Sequence, residues 1–276
     1  MTVLEVLTAA AGYLEKREVE SPRLNAEHLL AHVLGKKRLD LYLEFDRPLS
    51  DEERAPLRDL IRRRGERVPL QHLLGTAEFF GRSFLCDQRA LVPRPETEQL
   101  VELVLPSKPR RILDVGAGSG VIAITLALEL PEAEVHAIDL SAAALELVGE
   151  NVARHGLDSR LTLHEGDLLP AGAEPFDFIV ANLPYIATAD MAELQKEVLF
   201  DPASALDGGE DGLDLVRRLI ADGSSRLAPG ASMALEIGHD QAARVAEIFA
   251  QAGYTEVSIA KDYQGVERFV SAKRPG

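Results

Sequence analysis

The chain has 276 residues, of which 46% are hydrophobic, and this composition is typical of a folded protein rather than a disordered one. Its net charge is −15, and nearly all of that charge lies in residues 81–276, because residues 1–80 are close to neutral. An acidic surface repels phosphate backbones, which argues against a nucleic-acid substrate. The single cysteine, Cys86, excludes an intramolecular disulfide.

The first residues lack the basic stretch followed by an apolar stretch that marks a secretion signal. No uncharged apolar run approaches the roughly 18 residues that a membrane span needs. No cluster of cysteine and histidine has zinc spacing. We therefore expect a cytoplasmic, monomeric protein that contacts no membrane and holds no metal.

Residues 1–75 have the apolar spacing of helices alone. Thr2 and Glu5 predict a capping box at the start of the first helix. Ser21, which precedes a proline, and Ser50, which precedes three acidic residues, predict the starts of two more helices. We expect a small all-helical N-terminal domain that helps to recognise a substrate.

Residues 76–92 contain two short apolar runs separated by turn residues, a pattern that predicts a β-hairpin linker. Strand and helix patterns alternate in residues 93–276, and the last two strands have no helix between them. Alternating βα units form a parallel sheet covered by helices on both faces, and two strands joined directly pair antiparallel. The predicted fold class is therefore α/β, with a Rossmann-like, seven-stranded, mostly parallel sheet and an antiparallel closing strand.

A glycine-rich loop follows the first strand of this sheet and opens the next helix, where backbone can approach a ligand closely. Val121 occupies the position at which a dinucleotide-binding loop would have its third glycine. Asp139 ends the second strand, where a carboxylate can accept both hydroxyls of a ribose. Asp167 and Leu168 follow the third strand and are candidates for contact with an adenine amino group and ring. The candidate loop residues are Gly116, Ala117, Gly118, Ser119 and Gly120.

The fourth strand ends in Asn182-Leu183-Pro184-Tyr185, at the edge of the sheet where open α/β proteins bind ligands. The Asn182 amide and nearby carbonyls can accept hydrogen bonds from an NH₂ group, and the Tyr185 ring can pack on a planar amide or base. We take Asn182, Pro184 and Tyr185 as catalytic candidates, all four residues as substrate-binding candidates, and Asn182 as a cofactor contact too. No side chain is assigned as a general base.

The glycine loop, Asp139 and the third-strand position together resemble the class I S-adenosylmethionine-dependent methyltransferases. That resemblance implies S-adenosyl-L-methionine as the cofactor and S-adenosyl-L-homocysteine as the product. Over nearly the whole chain the sequence further resembles the peptide chain release factor N5-glutamine methyltransferases, the PrmC/HemK family. The segments that carry this resemblance are residues 69–75, 78–81, Pro93–Glu98, Glu236-Ile237-Gly238 and Asp262…Gly265…Arg268.

The family resemblance implies methyl transfer to the glutamine side chain in the Gly-Gly-Gln tripeptide of a release factor. Leu183 departs from the Asn-Pro-Pro-Tyr that is usual in this family, and Asn-Leu-Pro-Tyr is more similar to the ribosomal RNA adenine dimethylases. N6-adenine methylation of RNA or DNA therefore stays open as an alternative. Glutamine methylation of a ribosomal protein is a second alternative, which the sequence hardly separates from the release-factor hypothesis. Residues 207–212 are read as an acidic turn before a helix, with a metal loop as the alternative.

Overall fold

The computed structural model describes residues 1–276, which form two compact units. One unit comprises Met1–Thr76 together with Gln195–Phe200, and the other comprises Ala77–Leu194 together with Asp201–Gly276. A short segment from the second half of the sequence therefore belongs to the N-terminal helical unit. None of the helices combines the length and apolar character that a membrane crossing requires.

The helical unit starts its helices largely as predicted. The Thr2 hydroxyl accepts the Glu5 N–H at 3.3 Å and the Ser50 hydroxyl accepts the Glu53 N–H at 3.2 Å, so both caps are confirmed. Ser21 is the N-cap of the helix that begins at Pro22, as predicted, but its φ of 47° is left-handed and its side chain makes no capping hydrogen bond, because a side chain reaches the first-turn N–H groups from extended backbone. The helices are α1 (Val3–Glu15), α2 (Pro22–Leu34), α3 (Asp51–Gly65) and α4 (Leu70–Leu74).

The expected hairpin consists of β1 (Thr76–Phe79) and β2 (Arg82–Leu85), which form a two-stranded sheet of their own. Phe80 and Gly81 make the turn, and both have positive φ, as a tight hairpin turn with the twist of the strands requires. Residues 86–92 contain no strand, so the hairpin is shorter than the linker predicted from the sequence.

The remaining helices and strands alternate as the sequence predicts, apart from shifts of a few residues at their ends. In chain order they are α5 (Thr97–Val104), β3 (Arg111–Val115), α6 (Val121–Glu129), β4 (Glu134–Asp139), α7 (Ala142–Arg154), β5 (Leu161–Glu165), β6 (Phe176–Asn182), α8 (Asp214–Gly223), β7 (Leu227–Glu236), α9 (Ala242–Gln251), β8 (Thr255–Lys261) and β9 (Glu267–Lys273).

These strands form one seven-stranded sheet in the order β5-β4-β3-β6-β7-β9-β8. The pairs from β5 to β7 are parallel, and β9 pairs antiparallel with both β7 and β8. The mostly parallel sheet with an antiparallel final strand is confirmed. That strand lies inside the sheet rather than at its edge, because β9 returns between its two neighbours.

The sheet separates two apolar cores because successive strand residues point to opposite faces. Ile112 and Phe178 pack on one face, with apolar residues of α5, α6 and α7. Leu113 and Ile179 pack on the other face, with apolar residues of α8 and α9. Burial on both faces explains why the central strands are nearly continuous apolar runs.

The chain moves outward from β3 in one direction through β4 and β5, and then resumes on the other side of β3 with β6 and β7. The crevice at this reversal, beyond the carboxyl ends of β3 and β6, is where open α/β sheets bind ligands. The glycine loop follows β3, and Asn182 is the last residue of β6. The topology therefore brings the two main sequence motifs to the same place.

Candidate active site

The glycine loop turns sharply from β3 into α6. Gly116, Gly118 and Gly120 have φ values of +74°, +56° and +81°, a conformation that other residues rarely adopt. The N–H groups of Gly116 and Ala117 both donate to the carbonyl oxygen of Ile138, at 2.9 and 3.1 Å. The loop is thus anchored to the neighbouring strand β4.

The three glycines are needed for different structural reasons. A Cβ on Gly116 would lie 3.0 Å from Leu183 Cδ2, and one on Gly120 would lie 2.9 Å from Val148 Cγ1, so both positions are limited by packing. A Cβ on Gly118 would meet nothing closer than the Cβ of Ala90, at 3.9 Å. At Gly118 the backbone conformation, rather than packing within the protein, is therefore what disfavours a side chain.

Asp139 is held in place by two backbone donors. Its Oδ2 accepts the Gly118 N–H and its Oδ1 accepts the Ser141 N–H, both at 2.9 Å. An ionised carboxylate has about four acceptor sites, so this fixed side chain keeps about two for a ligand. Asp139 consequently orients the glycine loop and also presents acceptors to the crevice.

One cavity in the larger unit brings nearly all of the sequence-predicted residues together. Gly120 and Tyr185 do not line it. Its wall also includes Arg94 and Thr97, from a segment to which the sequence assigned no site residue. The predicted residues that line the cavity are Gly116, Ala117, Gly118, Ser119, Asp139, Asp167, Leu168, Asn182, Leu183 and Pro184.

Asp167 and Leu168 lie two and three residues beyond the end of β5, which stops at Glu165. Asp167 pairs with Arg218 at 2.6 Å, so an ion pair already engages one of its oxygens. Leu168 is buried and has a φ of +64°, which is uncommon for a side chain that is not glycine or asparagine. This bend turns the apolar Leu168 side chain into the cavity wall.

Asn182 has a defined orientation at the end of β6. Its Nδ2 donates to the Thr97 hydroxyl at 3.2 Å. Leu183, which is 4% exposed, fills the space beside Gly116. The Tyr185 carbonyl accepts a hydrogen bond from Gln241 Nε2 at 2.9 Å. The tetrapeptide is therefore fixed from several sides.

The acidic segment 207–212 packs against this tetrapeptide. A Cβ on Gly208 would lie 2.6 Å from the Pro184 carbonyl oxygen, and one on Gly212 would lie 2.2 Å from that of Tyr185. The Asp207 carboxylate accepts from the Thr188 hydroxyl at 2.7 Å and from a backbone N–H. These glycines allow the segment to brace the backbone that follows Asn182.

The other aspartate of this segment, Asp211, is held by cations. Arg217 and Arg244 both bind its carboxylate, and the hydrogen bond from Arg217 is the main reason that the pKa of Asp211 lies well below its usual range. The segment is therefore an acidic turn whose two aspartates are engaged by the protein itself.

Glu236 lies directly behind Asn182, since the two residues are partners in the β6–β7 register. It is 3% exposed, and burial raises its pKa to about 7. Hydrogen bonds from Thr97 and Asn182 and the charge of Arg268 act in the opposite direction. Burial also raises the pKa of Tyr185, and the nearby Glu236 adds to that effect. A buried carboxylate thus supports the polar end of β6.

A second buried carboxylate lies next to the cavity-lining residue Arg94. Asp201 accepts the Val92 N–H at 3.3 Å and pairs with Arg94 at 3.3 Å. Burial raises its pKa to about 6, and the Arg94 charge partly opposes the shift. This pair places the guanidinium of Arg94, which lines the cavity, at a fixed position.

Several residues that build the site were not identified as site residues from the sequence. Asn151 is fully buried and joins the Ser119 carbonyl of the glycine loop to Leu85 of β2, with bonds of 2.7 to 3.1 Å. Asn151, Asp201 and Gln241 stand in no motif. Thr97 and Glu236 fall in segments that carried the family resemblance, and this was the one available signal for their importance.

Comparisons with known proteins agree with this architecture. A family described as the PrmC N-terminal domain matches residues 5–75, and one described as the methyltransferase small domain matches residues 95–210. The release factor glutamine methyltransferase of Geobacter sulfurreducens is 43% identical over 276 residues, which cover 99% of this chain and 96% of the relative. That of Deinococcus radiodurans is 43% identical over 280 residues, which cover 100% of both chains.

A solved methyltransferase structure from Pyrococcus furiosus matches 72% of this chain and 91% of its own, with a TM-score of 0.54 and 19% identity, and it supports the fold alone. The sheet order, the loop at the switch point and the small methyltransferase domain define the class of protein, a methyltransferase. The two relatives, similar over nearly their whole length, narrow that class: the chain belongs to the release factor glutamine methyltransferase family.

Proposed function

We propose that this protein transfers a methyl group from S-adenosyl-L-methionine to the side-chain amide nitrogen, N5, of the glutamine in the Gly-Gly-Gln tripeptide of a peptide chain release factor. The observation that carries the proposal is the Asn182 amide, which ends β6 in the same cavity wall as the glycine loop. The names of the relatives point to the same acceptor. The reaction would take place in the cytoplasm, where release factors act, with the enzyme as a monomer.

The residues of the cavity fit S-adenosylmethionine. Gly118 offers backbone without a side chain, and Asp139 keeps free acceptor sites that suit the two hydroxyls of a ribose. Leu168 and Ile138 provide apolar wall beside the polar Asp167, a combination that suits an adenine ring with its amino group. When bound, the cofactor supplies an activated methyl group on a sulfonium.

Asn182 would recognise the acceptor through its carbonyl oxygen. An amide NH₂ is a donor group, so the acceptor site must present oxygen atoms to it. Because Asn182 Nδ2 donates to Thr97, its Oδ1 remains for the incoming amide. Backbone carbonyls of Leu183 and Pro184 would accept the second amide proton. Tyr185 does not line the cavity, so its ring would act from behind, by supporting the tetrapeptide.

An amide nitrogen is a poor nucleophile because it shares its lone pair with the carbonyl group. Two acceptors on its protons withdraw it from planarity and increase its electron density. The rest of the catalysis would come from position, because a fixed nitrogen, methyl and sulfur in line replace a bimolecular encounter. We assign no general base among the lining residues, since the methylated amide can lose its extra proton to water.

The helical unit formed by Met1–Thr76 and Gln195–Phe200 would help to hold the protein substrate. Residues 5–75 of this unit match the family described as the PrmC N-terminal domain. We propose residues 1–75 as a substrate-recognition domain, 76–92 as a linker and 93–276 as the methyltransferase domain. A dedicated domain of this kind suits a folded protein acceptor better than a small molecule.

Leu183 was the main reason to consider an adenine acceptor. Its side chain packs on Gly116, so the residue is explained by contact with the glycine loop and does not require a different acceptor. The acidic charge of residues 81–276 also opposes a nucleic acid at this cavity. Glutamine is the acceptor that these observations favour.

The test is transfer of labelled methyl to a purified release factor, with a Gly-Gly-Ala variant of that factor as the control substrate. We expect label on the Gly-Gly-Gln protein alone. Equal labelling of both would refute the acceptor site, and labelling of deproteinised RNA or DNA with no labelled release factor would establish adenine methylation instead. A labelled ribosomal protein with unlabelled release factor would identify the other glutamine substrate.

The Asn182→Ala variant tests the residue that carries the proposal. We expect its turnover to fall at least about 100-fold, because an aligned acceptor on the reacting amide is lost. Its affinity for S-adenosylhomocysteine, measured by calorimetry, should stay within about fivefold of the unmodified enzyme. If turnover survives, Asn182 does not act on the acceptor.

A further inference from the structure

The amide of asparagine can face either way in its pocket, and the two orientations have opposite chemistry. One presents the carbonyl oxygen to the cavity and accepts hydrogen bonds, whereas the other presents NH₂ and repels a donor. An acceptor for an amide NH₂ requires the first orientation at Asn182. The groups that select this orientation therefore matter as much as Asn182 itself.

We propose that Thr97 and Glu236 are positioning residues that hold the Asn182 carbonyl oxygen toward the cavity. This inference rests on the proposed function, and it adds two residues from distant parts of the chain to the acceptor site. Neither residue has to touch the substrate or the methyl donor for the inference to be correct.

The hydrogen bond between Asn182 and Thr97 determines which of the neighbouring groups donate and which accept. Asn182 Nδ2 donates to the Thr97 hydroxyl at 3.2 Å, which uses a lone pair of that oxygen. The Thr97 hydroxyl then keeps its single proton for the neighbouring Glu236 carboxylate, whose pKa Thr97 and Asn182 both act to lower as donors. An ionised carboxylate only accepts, so it forces both partners to donate and leaves Asn182 Oδ1 facing away from it.

Burial makes this arrangement selective. Thr97 and Glu236 are each 3% exposed, so water cannot substitute for a missing partner. Glu236 Oε2 has no hydrogen-bond partner within the protein, so one oxygen of this buried carboxylate is free to accept. A buried polar group that is left unpaired costs stability, and such a group is therefore expected to have a role.

Every element around Glu236 contributes a charge or a titratable group. Glu96 and Thr97 lie at the start of α5, Asn182 and Tyr185 at the end of β6, and Arg268 on β9. Arg268 in turn pairs with Asp262 at 3.6 Å. Arg268 favours ionised Glu236 and Glu96 opposes it, while burial raises the pKa of Glu236 to about 7.

This pKa gives the positioning role a pH signature. Below about pH 7 Glu236 gains a proton and becomes a donor, so it no longer requires Thr97 and Asn182 to donate. We expect turnover of the unmodified enzyme to fall as the pH is lowered through about 7. In Glu236→Gln the group cannot titrate, so turnover should be lower and this acidic limb should disappear.

Thr97→Val keeps the shape of the side chain and removes the hydroxyl. We expect kcat to fall about 10- to 100-fold because the reacting amide is misplaced, with KM for S-adenosylmethionine changed less than about threefold. Thr97→Ser should restore kcat to within about threefold. Thr125→Val is the matched control, since Thr125 is a fully buried threonine outside the cavity whose hydroxyl has no partner.

A second readout does not depend on methyl transfer. The side-chain ¹⁵NH₂ signals of Asn182, assigned by their loss in Asn182→Asp, should shift as the pH passes through about 7. The shift should be absent in Glu236→Gln, and Thr97→Val should make the two amide protons exchange faster with water. If release factor is not labelled at all, the proposed function fails, and these signals still decide the positioning role.

Two results would overturn the inference. One is a Thr97→Val enzyme as active as Thr125→Val. The other is an Asn182 amide whose signals and pH response are the same with and without Glu236. Thermal unfolding of each variant separates loss of the fold from loss of position.

Discussion

Replacement of single glycines in the loop after β3 should separate binding from stability. Gly118→Ala and Gly120→Ala introduce the same methyl group two residues apart, in backbones of similar positive φ. From the structure we expect Gly118→Ala to lose more ligand affinity and Gly120→Ala to lose more stability. The methyl of Gly118→Ala would stand in the open beside Ala90, another cavity-lining residue, whereas that of Gly120→Ala would stand 2.9 Å from Val148 and 3.1 Å from Ile124.

The magnitudes follow from these contacts. A left-handed alanine costs about 1 kcal/mol in either variant, and overpacking in the core adds about 2 kcal/mol for Gly120→Ala. At about 2 to 4 °C for each kcal/mol in a domain of this size, Tm should fall by about 2 to 4 °C for Gly118→Ala and by about 6 to 12 °C for Gly120→Ala. For binding the order reverses. An intruding methyl should weaken S-adenosylhomocysteine about 5- to 150-fold in Gly118→Ala, and less than about threefold in Gly120→Ala.

Thermal unfolding and calorimetric titration, both at a temperature where the two variants are folded, provide the comparison. The refuting result is specific. If Gly120→Ala loses as much affinity as Gly118→Ala, or if Gly118→Ala is the less stable variant, then the division of the loop into a packing glycine and a ligand-facing glycine is incorrect.

Two further predictions concern stability. Asp114 is fully buried, with one oxygen unpartnered, and burial raises its pKa to about 7 from 3.8. The folded state therefore binds the proton more tightly, and the unfolding free energy should fall as the pH rises from about 4 to 7. Asp114→Asn should lack this fall, so by pH 8 its unfolding free energy, measured with urea, should exceed that of the unmodified protein by on the order of 4 kcal/mol relative to their difference at pH 4. Unfolding free energies that depend on pH in the same way in both proteins would contradict this prediction. Glu197 binds the buried Arg64 at 3.1 Å, so Glu197→Gln should lower the free energy of unfolding by about 1 to 3 kcal/mol. Glu193 is exposed, so Glu193→Gln should leave this free energy almost unchanged in the same urea measurement. Equal losses in the two variants would refute the contact.

Much of this architecture can be predicted from short stretches of the sequence. The apolar runs of β3 and β6 and the capping residues Thr2 and Ser50 predict their elements, because hydrophobic period and capping depend on near neighbours. The glycine loop and Asp139 could be recognised for the same reason. A loop that follows a strand and opens a helix, with an acidic residue after the next strand, is a pattern of short-range spacing.

Other features depend on residues that are far apart in the chain. The left-handed conformations of Ser21 and Leu168 run against the local preference of both residue types, so no local pattern predicts them. The segment Gln195–Phe200 belongs to the helical unit, where Glu197 pairs with Arg64 and Arg67. The hydrophobic periodicity of the sequence does not predict this pairing.

The sequence by itself determined the class of fold, the position of the glycine loop and the tetrapeptide that we propose faces the acceptor. Only the tertiary structure decided how that tetrapeptide is held: Thr97 and Glu236 meet Asn182 because the start of α5 and the strand β7 converge on the end of β6. Contacts between such distant residues arise from the order of the strands in the sheet, and local sequence patterns do not predict that order.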